Sequence, residues 1–203
     1  MSQPEVPHPR EAADYFKPVV PHANRPYLFG PYDPSYPHQF EAHAYDIADV
    51  IGSDGVRVEH VGSTAIPGLL GKPQIDIAVL FADRDHFEDT AAYQPGMQEA
   101  GYNYRADPSN MGEQYFTLES SGGIRKVSAH FLHIDNEWGR QLLVFRDYLR
   151  EHSDECDMYG TVKKAGYDSF PNDYQEYYNH KAPTILQIMT RAIAWQQRKD
   201  RQI

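Results

Sequence analysis

The segment from Val56 to Phe81, VRVEHVGSTAIPGLLGKPQIDIAVLF, constrains this chain more than any other stretch. In Val56 to Val61, residues Val56, Val58 and His60 share one side, and Arg57, Glu59 and Val61 the other. That alternation is the period of a strand. Glycines and a proline at close spacing in Gly62-Ser63-Thr64-Ala65-Ile66-Pro67-Gly68 specify a structured loop. Gln74 to Phe81 then reads as a second strand. It sets Ile75, Ile77, Val79 and Phe81 on one side and Asp76, Ala78 and Leu80 on the other.

A strand, a glycine loop and a strand bearing one acid suggest anion chemistry. Gly62 has no Cβ, so backbone there can approach a phosphate closely. The amides of Ser63, Thr64 and Ala65 could cradle it, with the Ser63 hydroxyl as a further donor. Asp76 offers acceptors only, as Mg²⁺ requires. The same residues also admit a plainer reading, a common Gly-Ser turn and a solvated aspartate.

The surrounding pattern is helical on both sides. Phe40, Ala44, Ile47 and Ile51 recur at helical spacing before Gly52, a natural stop. Asp83 to Tyr93 reads as a helix that Pro95 interrupts. Gln114 to Glu119 and Lys126 to Ile134 read as a hairpin around Ser120-Ser121-Gly122-Gly123. Helices follow on Trp138, Leu142, Phe145 and Leu149, then around Cys156 to Ala165, then from Pro183 to Arg198. Pro183 suits a first turn. Residues 1–28, with prolines at 4, 7, 9, 18, 21 and 26, read as an extended arm, and residues 29–200 as one domain. This order predicts an α/β (α+β) domain, a small mixed sheet with flanking helices and a C-terminal helical part.

Charge and cysteine content narrow the partners. The net charge of −10 argues against duplex DNA, whose phosphates need a basic face. One cysteine, Cys156, excludes an internal disulfide and fits a reducing compartment. The carboxylates beside it would raise its pKa, so it is not read as a nucleophile. There is no apolar run long enough to span a membrane and no secretory leader, so the expected location is cytoplasmic.

Several blocks together resemble the GrpB (UPF0157) family. They are Phe29-Gly-Pro-Tyr-Asp-Pro-Ser-Tyr-Pro with Phe40-Glu41, Glu59-His-Val-Gly-Ser-Thr-Ala-Ile-Pro-Gly68, and Lys72-Pro-Gln-Ile-Asp-Ile77. Phe145-Arg-Asp-Tyr-Leu-Arg150, Tyr159 with Lys163, and Tyr177 with Lys181 and Ala194-Trp195 continue the match over residues 29–195. GrpB proteins are similar to the nucleotidyltransferase superfamily, which implies a nucleotidyltransferase-like sheet. The resemblance further implies a Gly-Ser for the triphosphate and paired carboxylates holding Mg²⁺, or Mn²⁺, against a nucleoside triphosphate. Gly62, Ser63 and Asp76 match, whereas the second carboxylate position is Ala78. GrpB-like domains also occur fused to dephospho-CoA kinases, which points to an accessory role.

The third acid of the superfamily would fall on the later strand, where this chain has His130 and His133. Three residues apart on a strand, they face opposite ways. A lone strand histidine is commonly a packing residue. If one joins the site, the resemblance favours His133, as a metal ligand beside Asp76 or as an acid–base group. His60 is read as a buried residue that orients the loop. Lys72 could neutralise a phosphate or be solvated. Arg146 and Arg150, one helical turn apart, could grip phosphate or pair with Asp147 and Glu151. Lys163 and Lys181 are secondary candidates, and Tyr174, Tyr177 and Tyr178 read as the edge of the core.

Two functions follow. One is nucleotidyl transfer, in which Gly62, Ser63, Thr64, Lys72, Arg146 and Arg150 hold the nucleotide and Asp76 and His133 do the chemistry on a small-molecule or protein acceptor. The other is a catalytically inactive nucleotide- or protein-binding module of the same fold.

Overall fold

A computed structural model of the protein describes residues 27–106 and 111–202. The expected arm therefore lies outside the described residues, apart from Tyr27 and Leu28. The elements run α1 (Tyr36–Ile51), β1 (Val56–Val61), a short 3₁₀ turn (Ser63–Ala65), β2 (Ile75–Phe81), α2 (Arg84–Glu88) and α3 (Thr90–Glu99). Then come β3 (Asn103–Tyr104), β4 (Gln114–Glu119), β5 (Arg125–His133), α4 (Glu137–Glu151), α5 (Ser153–Ser169) and α6 (Tyr174–Asp200).

The strands form one mixed sheet in the order β1-β2-β5-β4-β3. β2 and β5 are parallel neighbours at its middle, while the other pairings are antiparallel. A central strand is covered on both faces, so it must be apolar on both. β2 obeys this at every position except Asp76, its one half-buried residue.

One face of the sheet carries Ile77, Val79, Phe81, Phe116, Ala129 and Phe131, packed against Ile47, Tyr93 and Met97 of α1 and α3. Opposite, Val61, Ala78, Leu80 and Leu132 pack under Trp138, Leu142 and Leu143 of α4. A further core joins α4, α5 and α6 through Leu149, Tyr159, Ile185, Ile188 and Trp195, with Ile66 and Leu69 reaching in from the loop.

Four expectations need correction. The break near residue 90 falls at Asp89, between α2 and α3, and Pro95 lies inside α3. That helix tolerates the lost backbone bond because Tyr93 and Met97 anchor it in the core. α6 begins at Tyr174 and carries Pro183 within it. The Asp173 side chain, accepting from the Glu176 amide at 3.1 Å, supplies the start signal. The two-residue strand β3 was not foreseen, and α5 extends beyond Cys156 to Ala165 at both ends.

Candidate functional site

β1 ends where the polypeptide must turn back over the sheet, and register places Val61 beside Asp76. Gly62 has φ +70°, and a Cβ there would lie 2.9 Å from Asp76 Cβ and collide with its carboxylate. Gly62 is therefore needed for the loop to cross directly over the acid. His60 fixes the loop as expected: its Nε2 meets Thr64 Oγ1 at 3.0 Å, and that hydroxyl donates to the Gln74 carbonyl at 3.1 Å. Burial, and then Arg150 and Arg146, push the His60 pKa down to about 4, so the ring is neutral.

Ser63 meets a partner from far along the chain. Lys163 Nζ donates to Ser63 Oγ at 2.6 Å, and Lys163 is 1% exposed. Gly71 makes room, since a Cβ there would stand 2.7 Å from Lys163 Nζ. Burial holds the Lys163 pKa well below the ordinary lysine value, and neighbouring Lys181 and Lys72 lower it further. Lys72 sits over the Tyr174 ring at 4.2 Å, and its charge lowers the Tyr174 pKa. Burial lowers Lys181 as well. Three lysines thus converge where Ser63 and Asp76 meet, and an anion there would relieve their mutual repulsion.

The sheet floor is a polar network. Gln74 Nε2 donates to Asp76 Oδ1 at 2.6 Å and to Ser128 Oγ at 2.9 Å. Ser128 meets the Tyr115 hydroxyl at 2.8 Å, and Arg125 donates to that hydroxyl at 2.9 Å. Burial raises the Tyr115 pKa to about 12. His130, on the Asp76 side of the sheet, places Nδ1 2.6 Å from Glu113 Oε2. Burial pulls the His130 pKa down, but the Glu113 carboxylate outweighs it and the net shift is upward. Gln74, Asp76, Tyr115, Arg125, Ser128 and His130 border a cavity of about 410 Å³ between the sheet and helices α4, α5 and α6, with Glu113 buried behind His130.

Of the residues singled out from sequence, Gly62, Ser63, Lys72 and Asp76 line this cavity. Thr64 is buried beneath the loop, where it ties His60 to Gln74. His133 does not join them. It pairs with Phe81, while Asp76 pairs with Ser128. That puts it on the other face and, at five strand residues, about 16 Å away along β5. Its Nδ1 instead meets Arg84 at 3.2 Å. Asp76 and His133 therefore cannot hold one metal ion.

Arg146 and Arg150 are also directed elsewhere. Arg146 donates to Glu59 at 2.7 Å, to the His60 carbonyl at 2.9 Å and to Asp147 at 2.7 Å. Arg150 donates to the Ala65 carbonyl at 2.8 Å. They hold the back of the loop to α4. The sequence reading gave too little weight to Lys163 and Lys181 and missed Gln74, Ser128 and Glu113. The Tyr159 and Lys163 pair, one helical turn apart, was the available signal.

The donor set does not fit a two-magnesium centre. β2 contributes Asp76, and its i+2 neighbour Ala78 is fully buried and apolar. Among the described residues no group of three His, Cys, Asp or Glu could hold a metal ion. Nor, among them, is any helix long and apolar enough to cross a membrane.

The family described as GrpB protein matches residues 29–191. A UPF0157 protein of Streptomyces coelicolor is 35% identical over 161 residues, covering 79% of this chain and 81% of that one. Among solved structures, the conserved protein GrpB from Enterococcus faecalis superimposes with a TM-score of 0.76 and 28% identity, covering 84% of this chain and 99% of that one. A looser likeness, with TM-score 0.48 and 15% identity over 69% of this chain and 43% of the other, is to the Cid1 poly(U) polymerase solved with Mg and 3′-dATP.

Proposed function

This chain belongs to the GrpB family, and from that premise we propose that its cavity binds the phosphate tail of a nucleoside triphosphate. The observation that carries this reading is the Lys163–Ser63 contact at 2.6 Å, with Lys72, Lys181 and Asp76 around it. Phosphate oxygens would accept from Ser63, Lys72 and Lys181, which line the cavity, while Lys163 stands behind Ser63 and orients its hydroxyl. A Mg²⁺ ion arriving on the triphosphate, as part of the substrate, would find one protein ligand in Asp76.

Nucleotidyl transfer to a small-molecule or protein acceptor is the second reading. It is favoured by the His130–Glu113 pair, which lies on the Asp76 side of the sheet and could take the acceptor's proton. Ala78 in place of a second acid favours binding without turnover.

Calorimetry on the full chain with pyrophosphate and with ATP, with and without Mg²⁺, tests the first reading. Lys163→Met should weaken both ligands about 10-fold, because it removes the amine that orients the Ser63 hydroxyl toward the cavity. Asp76→Asn should weaken only the Mg²⁺-dependent part. Binding that ignores Lys163→Met, or no binding of either ligand, would overturn it. Transfer of label from α-labelled ATP to a metabolite or protein pool, abolished by His130→Gln, would establish the second.

A further inference from the structure

The cavity continues beyond its phosphate-facing side. Tyr174, Tyr178, Lys181, Ile185 and Met189 of α6 all line it. They recur at i, i+4, i+7, i+11 and i+15, one stripe of a helix, about 22 Å long at 1.5 Å per residue. The stripe changes character midway. Phenols and an ammonium group reach as far as Lys181, and only hydrocarbon and thioether follow.

Across the cavity, α4 presents Trp138, Leu142 and Phe145 at i, i+4 and i+7. All three are half-buried rather than sealed, unlike Ile188 of the adjoining core at 0% exposure. Half-buried apolar side chains in a concavity retain surface that a ligand can cover. A pocket that reads a nucleobase carries donors and acceptors for the base edge. The α4 wall is instead aliphatic and aromatic carbon, with the indole nitrogen of Trp138 its one polar side-chain atom among those three, while the polar lining of Tyr115, Glu119, Arg125 and His130 belongs to β4 and β5.

We propose that this apolar end holds an aliphatic arm attached to the phosphates bound at Ser63, Lys72 and Lys181, so that the occupant is a phosphorylated amphiphile. The inference rests on the phosphate-binding reading above. The gradient along α6 sets the orientation, because the reverse would bury phosphate beside Trp138, Leu142 and Phe145 and waste three lysines. The phosphates can belong to a nucleotide bearing the arm or to a simple monoester.

The test is a calorimetric series on the full chain with ethyl, butyl and hexyl phosphate. Affinity should rise roughly fourfold per added methylene. Hexyltrimethylammonium, with the same arm and a cationic head, should not bind. Leu142→Glu should flatten the series while pyrophosphate binds as before, and the wild-type series stands even if that variant misfolds. ATP esterified at its γ-phosphate with a hexyl group separates the two sources. A gain over ATP assigns the arm to a nucleotide, and a gain confined to the alkyl phosphates assigns it to a monoester. A flat wild-type series beside Lys163-dependent pyrophosphate binding would overturn the arm and leave the phosphate reading standing. If pyrophosphate also fails to bind, both readings fall.

Discussion

Lys163 carries its amine into the interior to reach a serine 100 residues upstream. Its folded pKa is depressed by burial and by Lys181 and Lys72. The sign follows from proton binding. Below the folded pKa the charged form must be kept in the interior at a cost, while above the unfolded value near 10.4 both states are neutral and the cost is gone. Lys163→Met removes it. We expect the variant to be more stable than wild type at pH 7 by about 1 kcal/mol, with the advantage shrinking toward pH 10.5, as measured by urea unfolding at both pH values. A loss of stability at pH 7 would mean that the Ser63 contact outweighs the buried amine. His130 has the opposite sign. Glu113 raises its folded pKa, so its contribution is present below pH ~6.5 and fades as pH rises through the folded value. Glu113→Gln should lower the His130 pKa, read from its imidazole NMR signals.

Among the elements, α4 shows how one sequence signal can be placed correctly and its chemistry misassigned. The Trp138, Leu142, Phe145 and Leu149 stripe specifies the helix, and the helix is where the stripe puts it. The same turn carries Arg146 and Arg150, which sequence spacing alone leaves open between phosphate and neighbouring acids. Packing decides the matter, because α4 lies across β1, and Arg146 spends its donors on Glu59 and the His60 carbonyl and does not line the cavity. Arg146 is 8% exposed, so removing it empties a buried position and leaves the buried His60 carbonyl without its donor from α4. Arg146→Ala should cost about 2–4 kcal/mol of stability, measured by chemical unfolding, and leave pyrophosphate affinity of the folded protein within twofold. A large fall in affinity with little loss of stability would restore Arg146 to the binding site. The helix boundaries missed at Pro95 and Pro183 have a related cause: a local breaker is overridden when the residues around it are anchored in the core.

Taken as a whole, the molecule is a sheet and a helical layer that meet over a polar floor. Its sheet half is local in the chain, which is why the strand–loop–strand segment, the hairpin and the face carrying Asp76 could be read from residue order. Its candidate site is not local. Ser63 comes from the first loop, His130 from β5, Glu113 from the residue just before β4, and Lys163 and Lys181 from the last two helices. No spacing rule joins residues so far apart, and choosing between His130 and His133 required the parallel register of β2 against β5. That distribution has a thermodynamic consequence. A ligand bridging segments this remote binds the folded chain and not the unfolded one, so it stabilises by RT ln(1 + [L]/Kd), about 2.7 kcal/mol at a hundredfold excess over Kd. For a domain of 150–250 residues each kcal/mol moves the melting temperature by about 2–4 °C. Saturating pyrophosphate should therefore raise the wild-type melting temperature by about 5–10 °C. At the same concentration Lys163→Met should show little rise from its own higher baseline. An equal rise in both proteins would place the anion away from the Ser63–Lys163 contact, and with it the cavity would lose its assignment as the phosphate site.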